Sequence, residues 1–425
     1  MPDTPAPGGS QSFRGLGRAS LTLLAGGAAA QALPLLLGPL LTRLFSPVEL
    51  GVYHLFAAVA ANVAVVACAR FEFALPLAHD DDEAQALRVL CLRLLLACTV
   101  LSGLGAMGWW WAGAGHWVAW LPLAVAVAGA LSLATLWATR AQRFAALATA
   151  RVLQYGGAAL AQVAAGWAGW GVQGLVAAPI AAALVATLCL RLPLSLSWPV
   201  REDAGSSWRA LARKFSDFPL LNTPHAFAGA LQDTVALGLV AAALGPAAAG
   251  FWGLTLRYLK APASLVGGAV SQALYPKLAA AGDSRQARAA LRQVMLLLGG
   301  LGLGLTLLLM LAAPWGFEAV FGAPWRPAGE LARALAPYIG LHFVASPLGV
   351  VTMAWGGQAW ALKLALVGQV LFAGALALGL AWGGLVGAGW AVSGAMAAYF
   401  AYYFWRLLHW PIGQVAQPGS GQSSL

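Results

Sequence analysis

Apolar runs of about 20 residues recur along this chain from Leu21 to Leu408, and a helix of that length crosses a hydrocarbon core of roughly 30 Å. Inside a bilayer the backbone must satisfy its own N–H and C=O groups, so spanning segments of this kind are helices. Composition agrees, because 60% of the residues are hydrophobic and only 9% are charged, with a mean hydropathy of +0.76. A soluble domain carries about 25% charged residues and would lack the charge here to cover its surface. The fold class that follows is an all-α integral membrane protein.

Spans are expected at 16–42, 50–70, 87–111, 117–138, 148–167, 172–192, 218–243, 247–274, 290–313, 331–353, 360–380 and 384–408. With about twelve spans both termini lie on one side, and most of the 24 Lys and Arg residues then fall in the loops of that side, among them Arg140, Arg143, Arg201, Arg209, Arg213, Lys214, Arg285, Arg288 and Arg292. The positive-inside rule makes that side the cytoplasm. Arg43, Arg326 and Arg333 fall on the outer side. The net charge of +10 therefore reports topology rather than a nucleic-acid partner, since the cations are interleaved with apolar runs. Trp109, Trp110, Trp111, Trp117, Trp167, Trp170, Trp315 and Trp325 gather at the expected outer interface as an aromatic belt.

Several features invite other readings. Arg14 and Arg18 before an apolar stretch and Ala28-Ala29-Ala30-Gln31-Ala32 mimic a signal peptide, but the apolar run continues through Leu41, which makes it the first span. Cys68, Cys91, Cys98 and Cys189 form no CxxC pair, so their spacing indicates neither a zinc site nor a disulfide framework, and they read as packing residues. The tails, 1–13 and 414–425, are rich in Pro, Gly, Ser and Gln and are expected to be disordered. The longest inner connection, 193–217, links an N-terminal bundle at 14–192 to a C-terminal bundle at 218–413. The longest outer connection runs from Pro314 to Glu330.

The two halves echo one another. Ser46-Pro47-Val48-Glu49-Leu50-Gly51-Val52-Tyr53-His54-Leu55 returns at constant offset as Gly245-Pro246-Ala247-Ala248-Ala249-Gly250-Phe251-Trp252-Gly253-Leu254, and Ala74-Leu75-Pro76-Leu77 is answered by Ala273-Leu274-Tyr275-Pro276-Lys277-Leu278. Six spans per repeat give two six-helix bundles of like orientation, related by an axis along the membrane normal, with a transport site between them. Ordinary turn chemistry at Pro and Gly is the alternative.

The stretch from Leu40 to Tyr53, LLTRLFSPVELGVY, and Arg70 to Leu77, RFEFALPL, resemble the N-terminal signature of polysaccharide-biosynthesis flippases of the O-antigen type. So do Phe215-Ser216-Asp217-Phe218-Pro219-Leu220, the stretch Gly245 to Arg257, Val270 to Leu278, and Ser346-Pro347-Leu348. That family belongs to a superfamily with multidrug exporters and oligosaccharidyl-lipid flippases, and the resemblance covers nearly the whole chain. It implies export of an undecaprenyl-pyrophosphate-linked oligosaccharide across the bacterial inner membrane by alternating access. Further implications are H+ or Na+ as a coupling ion, membrane lipids and a polymerase or ligase of the same pathway as partners, a monomer, and no cofactor or enzymatic activity.

A charge inside a membrane costs on the order of 2.5–3.5 kcal/mol by insertion scales, so each one needs a partner or a purpose. Asp233 precedes the turn at Gly245 by as many residues as Arg257 follows it, which brings the two to one depth on antiparallel helices. Lys260 shares the Arg257 face. In the light of the resemblance, Arg257 and Lys260 bind the pyrophosphate or acidic sugars, with Asp233 positioning Arg257 or coupling a cation; mutual neutralisation is the alternative. Arg43 lines the outer mouth or pairs with Glu49. Arg70 and Glu72 point to different faces at the inner end of helix two, and Arg151 with Gln154 and Tyr155 places polar groups at the inner mouth. His79-Asp80-Asp81-Asp82-Glu83 reads as a helix cap rather than a metal cluster. His225 is a packing or titrating residue near Pro219 and Pro224, which should kink that helix.

Three rivals remain on sequence grounds: a multidrug exporter, a lipid II flippase, and an integral-membrane glycosyltransferase or ligase. The last needs paired carboxylates at the outer face, where only the scattered Glu318 and Glu330 lie. No P-loop is present, which argues against direct ATP hydrolysis.

Overall fold

The structure is a computed structural model that describes residues 32–195, 208–279 and 284–410. Arg14, Arg18, both tails and Arg201 lie outside the described residues, as does the first half of the first expected span. Among the described residues every regular element is helical. Eight stretches there are long and apolar enough to cross a membrane, and Ala32–Leu44 adds a shorter apolar helix. The chain is a multi-pass membrane protein.

The helices in chain order are α1 (Ala32–Leu44), α2 (Pro47–Ala64), α3 (Asp81–Trp111), α4 (Leu121–Arg140), α5 (Phe144–Val152), α6 (Ala158–Trp167), α7 (Gly171–Cys189) and α8 (Trp208–Lys214). They continue with α9 (Thr223–Leu244), α10 (Pro246–Ala279), α11 (Ser284–Phe321), α12 (Arg326–Ala345), α13 (Gly349–Ala354) and α14 (Gln358–Leu408). Two compact units divide at Thr234 and Val235, inside α9.

In the first unit, α2 opens on a capping box. Ser46 Oγ accepts from the Glu49 N–H at 3.3 Å, the Glu49 carboxylate accepts from the Ser46 N–H at 2.8 Å, and Pro47 takes the first turn. Helix α2 stops at Ala64, short of the expected residue 70, because Ala69 (φ 48°) and Arg70 (φ 61°) turn left-handed and feed a 3-10 turn at Phe71–Leu77. Helix α3 starts at Asp81 rather than 87. Asp80 accepts from the Glu83 N–H at 2.7 Å and Glu83 accepts from the His79 N–H at 2.7 Å, so the acidic run is a cap, as its sequence suggested. Arg140, at the end of α4, donates to the carbonyls of Ala78 (2.7 Å) and Asp80 (3.0 Å) and to Asp81 Oδ1 (3.1 Å), which ties α4 to this cap. The core gathers Phe56, Leu75, Leu87, Leu90, Val125 and Leu133.

Helix α12 is the centre of the second unit and packs against α10, α11 and α14. Two-thirds of the 18-residue apolar window in Ala323–Ala354 is buried, against 11% for α11. The sequence allows this because α12 is rich in small residues. A Cβ on Gly340 would meet Thr306 Oγ1 at 2.0 Å and the Gly302 carbonyl at 2.7 Å, so α11 and α12 touch backbone to backbone, the small-residue packing of membrane helices. On the outside of α11, Leu296, Leu297, Leu311 and Trp315 are well exposed, which suits lipid rather than water.

Several boundaries differ from the sequence expectation. The outer connection expected at Pro314–Glu330 shrinks to Gly322–Trp325, since α11 continues through Pro314 to Phe321 and α12 begins at Arg326. Arg326 bridges the joint, 2.8 Å from Glu318 and 3.8 Å from Glu330. Trp325 leaves the expected belt, being fully buried edge-on to Phe251. The last two expected spans are the two halves of α14, which part at the non-helical Gly383 and Gly384 and pack back on each other, with Gly379 against Ala388 and Trp360 stacked on Tyr403. Both copies of the first sequence echo open a helix with proline in its first turn. The second echo diverges, as Ala74–Leu77 is 3-10 while Tyr275–Leu278 is α-helical.

Candidate functional site

Helix α10, expected to span the membrane at 247–274 but not among the eight apolar candidates, carries Arg257 and Lys260. Thr255 is buried and donates to the Ala328 carbonyl at 3.0 Å, locking α10 to α12. Arg257 is exposed and Lys260, three residues on, is half-buried, so one face of the helix bears both. Lys260 lies within electrostatic reach of His342 on α12. Pro262 has no N–H, so the Tyr258 carbonyl loses its helical donor beside these cations. His342 is backed by an aromatic column: Tyr338 at 5.8 Å and Phe400 at 6.4 Å from it, and Phe372 at 5.9 Å from Tyr338. The lysine thus faces a histidine that the sequence reading did not single out; a lone His in an apolar helix gave no periodic signal.

The remaining sequence candidates lie on other elements. Arg43 is exposed at the end of α1, and the Glu49 carboxylate expected to meet it is engaged by the Ser46 cap. Asp233 is exposed on α9. His225 is exposed, so it is not the packing residue its sequence context suggested. Instead of a simple kink at Pro219, a π-helical turn spans Phe218–Asn222 ahead of α9. A second π-helical turn, Leu153–Gly157, separates α5 from α6 and contains Gln154 and Tyr155, with exposed Arg151 just before it. Such turns occur often at functional sites.

Arg70 and Glu72 do face apart, as their spacing implies. The Arg70 guanidinium lies over the Phe73 ring at 4.1 Å and donates from Nε to Asn222 Oδ1 at 3.0 Å. Glu72 turns inward and is 3% exposed. Burial pushes its carboxyl above the usual carboxylate range, opposed by a backbone hydrogen bond, by the Arg70 charge and by the Ser132 hydroxyl. Ser132 Oγ donates to Oε1 at 3.5 Å, while Oε2 is buried with no hydrogen-bond partner.

Two cysteines meet this carboxylate. Cys68, Cys91 and Glu72 are all buried, and their donor atoms lie within 4.8 Å of one another. The Cys68 thiol donates to the Cys91 carbonyl at 3.6 Å. Sequence spacing gave no hint of this, since the cluster is made by the left-handed reversal at Ala69 and Arg70 folding the 3-10 turn back onto α3. Arg88 was missed as well. It is a buried cation that donates to the carbonyls of Pro193 and Ser195 and to Ser195 Oγ, fastening the segment after α7 to α3.

A profile of the polysaccharide biosynthesis protein family matches residues 40–330. The chain belongs to that family. Known structures agree on the fold. A lipid II flippase, MurJ, in an inward closed conformation superposes with a TM-score of 0.67 at 11% identity, covering 92% of this chain and 87% of the other. An inward-facing multidrug-resistance MATE transporter of the MOP superfamily gives 0.57 at 17% identity, with 91% and 93% covered. A MOP-superfamily transporter from Pyrococcus furiosus gives 0.53 at 15%, with 92% and 95% covered. Curated protein sequences contain no significant match. This family member therefore has the fold of MOP-superfamily transporters and flippases.

Proposed function

We propose that the chain is a flippase moving an undecaprenyl-pyrophosphate-linked oligosaccharide from the cytoplasmic to the periplasmic leaflet of the bacterial inner membrane, for O-antigen, exopolysaccharide or capsule synthesis. The observation that carries this reading is the family match over residues 40–330. The fold shared with a lipid II flippase supports it. In this reading the chain crosses the membrane about twelve times in two parallel-repeat bundles with both termini in the cytoplasm.

The cargo carries a pyrophosphate esterified at both ends, a dianion that must leave water, so it requires cations held in the transport path. Arg257 and Lys260 on α10 serve that need, Lys260 with His342 beside it. In this reading Arg43 and Arg151, both exposed, receive the headgroup at the outer and inner mouths. Asp233 is the carboxylate assigned to coupling with H+ or Na+, and Arg70 and Glu72, facing apart but within electrostatic reach, are assigned to anchoring the connection between α2 and α3.

The test is glycan display in a strain lacking the gene. Wild type should restore surface polysaccharide, while Arg257→Ala with Lys260→Ala, expressed at equal level, should lower it at least tenfold and leave lipid-linked intermediates in the cytoplasmic leaflet. Full rescue by the double variant removes these residues from the substrate path. Because MATE exporters share the fold, a strain with normal glycan and altered drug tolerance moves the chain to small-molecule export.

A further inference from the structure

The thiols of Cys68 and Cys91 take no part in the transport scheme above, yet they meet the anchoring carboxylate of Glu72 in the core of the first unit. Its donor atoms lie within 4.8 Å of one another. A zinc ion bonds sulfur at about 2.3 Å and carboxylate oxygen at about 2.0–2.2 Å, which puts tetrahedral donors roughly 3.5–4 Å apart. Closing the cluster around an ion therefore needs movements of less than about 1 Å by that geometry. Glu72 is 3% exposed and its Oε2 is an orphaned acceptor. A buried acceptor without a partner costs about 1–3 kcal/mol, so something should satisfy it.

We propose that Cys68, Cys91 and Glu72 bind a thiophilic divalent cation of the zinc class. The donor set selects the ion. Magnesium and calcium require oxygen ligands, whereas thiolates favour zinc and its neighbours. Charge selects the valence. Two thiolates and a carboxylate carry three negative charges, a divalent ion cancels two, and the Arg70 guanidinium, within electrostatic reach of Glu72, offsets the last. A monovalent ion would leave a net negative charge in an apolar core. Ser132, bonded to Glu72 Oε1 at 3.5 Å, orients the carboxylate in the manner of an outer ligand shell. The three ligands come from the reversal after α2, from the 3-10 turn at Phe71–Leu77 and from α3. A bound ion would fasten that reversal, with its two left-handed residues Ala69 and Arg70, onto α3.

The experiment is a titration of the full-length protein, purified in detergent under reducing conditions and stripped with a chelator, with Co(II) and then Zn(II). One equivalent of Co(II) should produce a thiolate-to-cobalt charge-transfer band that Zn(II) abolishes. Cys68→Ala and Cys91→Ala should lose the band, Glu72→Gln should keep it with affinity lowered tenfold or more, and Cys98→Ala should match wild type. Zinc-edge X-ray absorption of wild type, which needs no variant to fold, should show two sulfur neighbours near ~2.3 Å. Zinc with no sulfur neighbour, a band that survives both cysteine substitutions, or a Cys68–Cys91 disulfide in the reduced preparation would each overturn the assignment.

Discussion

At the residue scale, the polar groups that shape this protein act through caps and carbonyls more than through ion pairs. Ser46 and Glu49 satisfy each other's backbone donors at the start of α2. Ser46→Ala should lower stability by about 1 kcal/mol, in line with other N-cap losses, read as a fall in thermal unfolding midpoint in detergent; no change would mean that Pro47 alone sets the helix start. The cap at Asp80 was legible because capping depends on residues three apart in the chain, whereas the Ser46 cap, at the same spacing, went unread because Glu49 was set against Arg43. The Cys68–Glu72–Cys91 cluster and the buried Arg88 were not legible. They depend on where a non-helical reversal carries the chain, and hydropathy is blind to left-handed backbone at ordinary residues such as Ala69 and Arg70. Trp325 shows the converse error. An aromatic residue next to a loop has the sequence signature of an interface anchor, and only packing against Phe251 reveals that it is buried.

At the scale of elements, apolar length located the helices, but helix ends moved wherever proline or acid was taken as a boundary. Pro262, Pro276 and Pro314 all lie inside helices, as membrane helices permit when neighbours re-satisfy the freed carbonyls. The break in α14 falls to glycine instead. Gly384 sits at φ 59°, ψ −148°, a region essentially closed to residues with a Cβ. Gly384→Ala should cost about 1–3 kcal/mol. Gly394, helical and with open space around its would-be Cβ, supplies the comparison, since Gly394→Ala should be neutral or slightly stabilising. Equal thermal midpoints for the two variants would contradict a Gly384-dependent break. The π-helical turns at Leu153–Gly157 and Phe218–Asn222 were invisible in the sequence, because one extra residue in a turn barely alters an apolar run.

At the scale of the whole molecule, the proposed topology rests on the distribution of cations against apolar runs, and the proposed cargo on the family match. The proposed topology, an even number of spans with the cationic loops inside, predicts both termini in the cytoplasm. Green fluorescent protein fused after Leu425 should fluoresce and alkaline phosphatase at the same site should be inactive; the reverse pattern would require an odd number of crossings. The membrane class was readable because insertion energetics leaves so little freedom in composition, and the superfamily because stretches such as Leu40 to Tyr53 resemble its signature. Which charges meet substrate was less readable, since that depends on how faces of separate helices are turned. The central claim is that this chain flips a pyrophosphate-linked glycolipid, and reconstitution tests it most directly. Purified protein in liposomes loaded with undecaprenyl-pyrophosphate-linked oligosaccharide in one leaflet should expose it to a glycan-cleaving enzyme on the other side within minutes. Arg257→Ala with Lys260→Ala should slow that exposure at least tenfold. Wild-type protein that leaves the glycolipid in its original leaflet, under the ion gradients and membrane potential of the cell, would contradict the account.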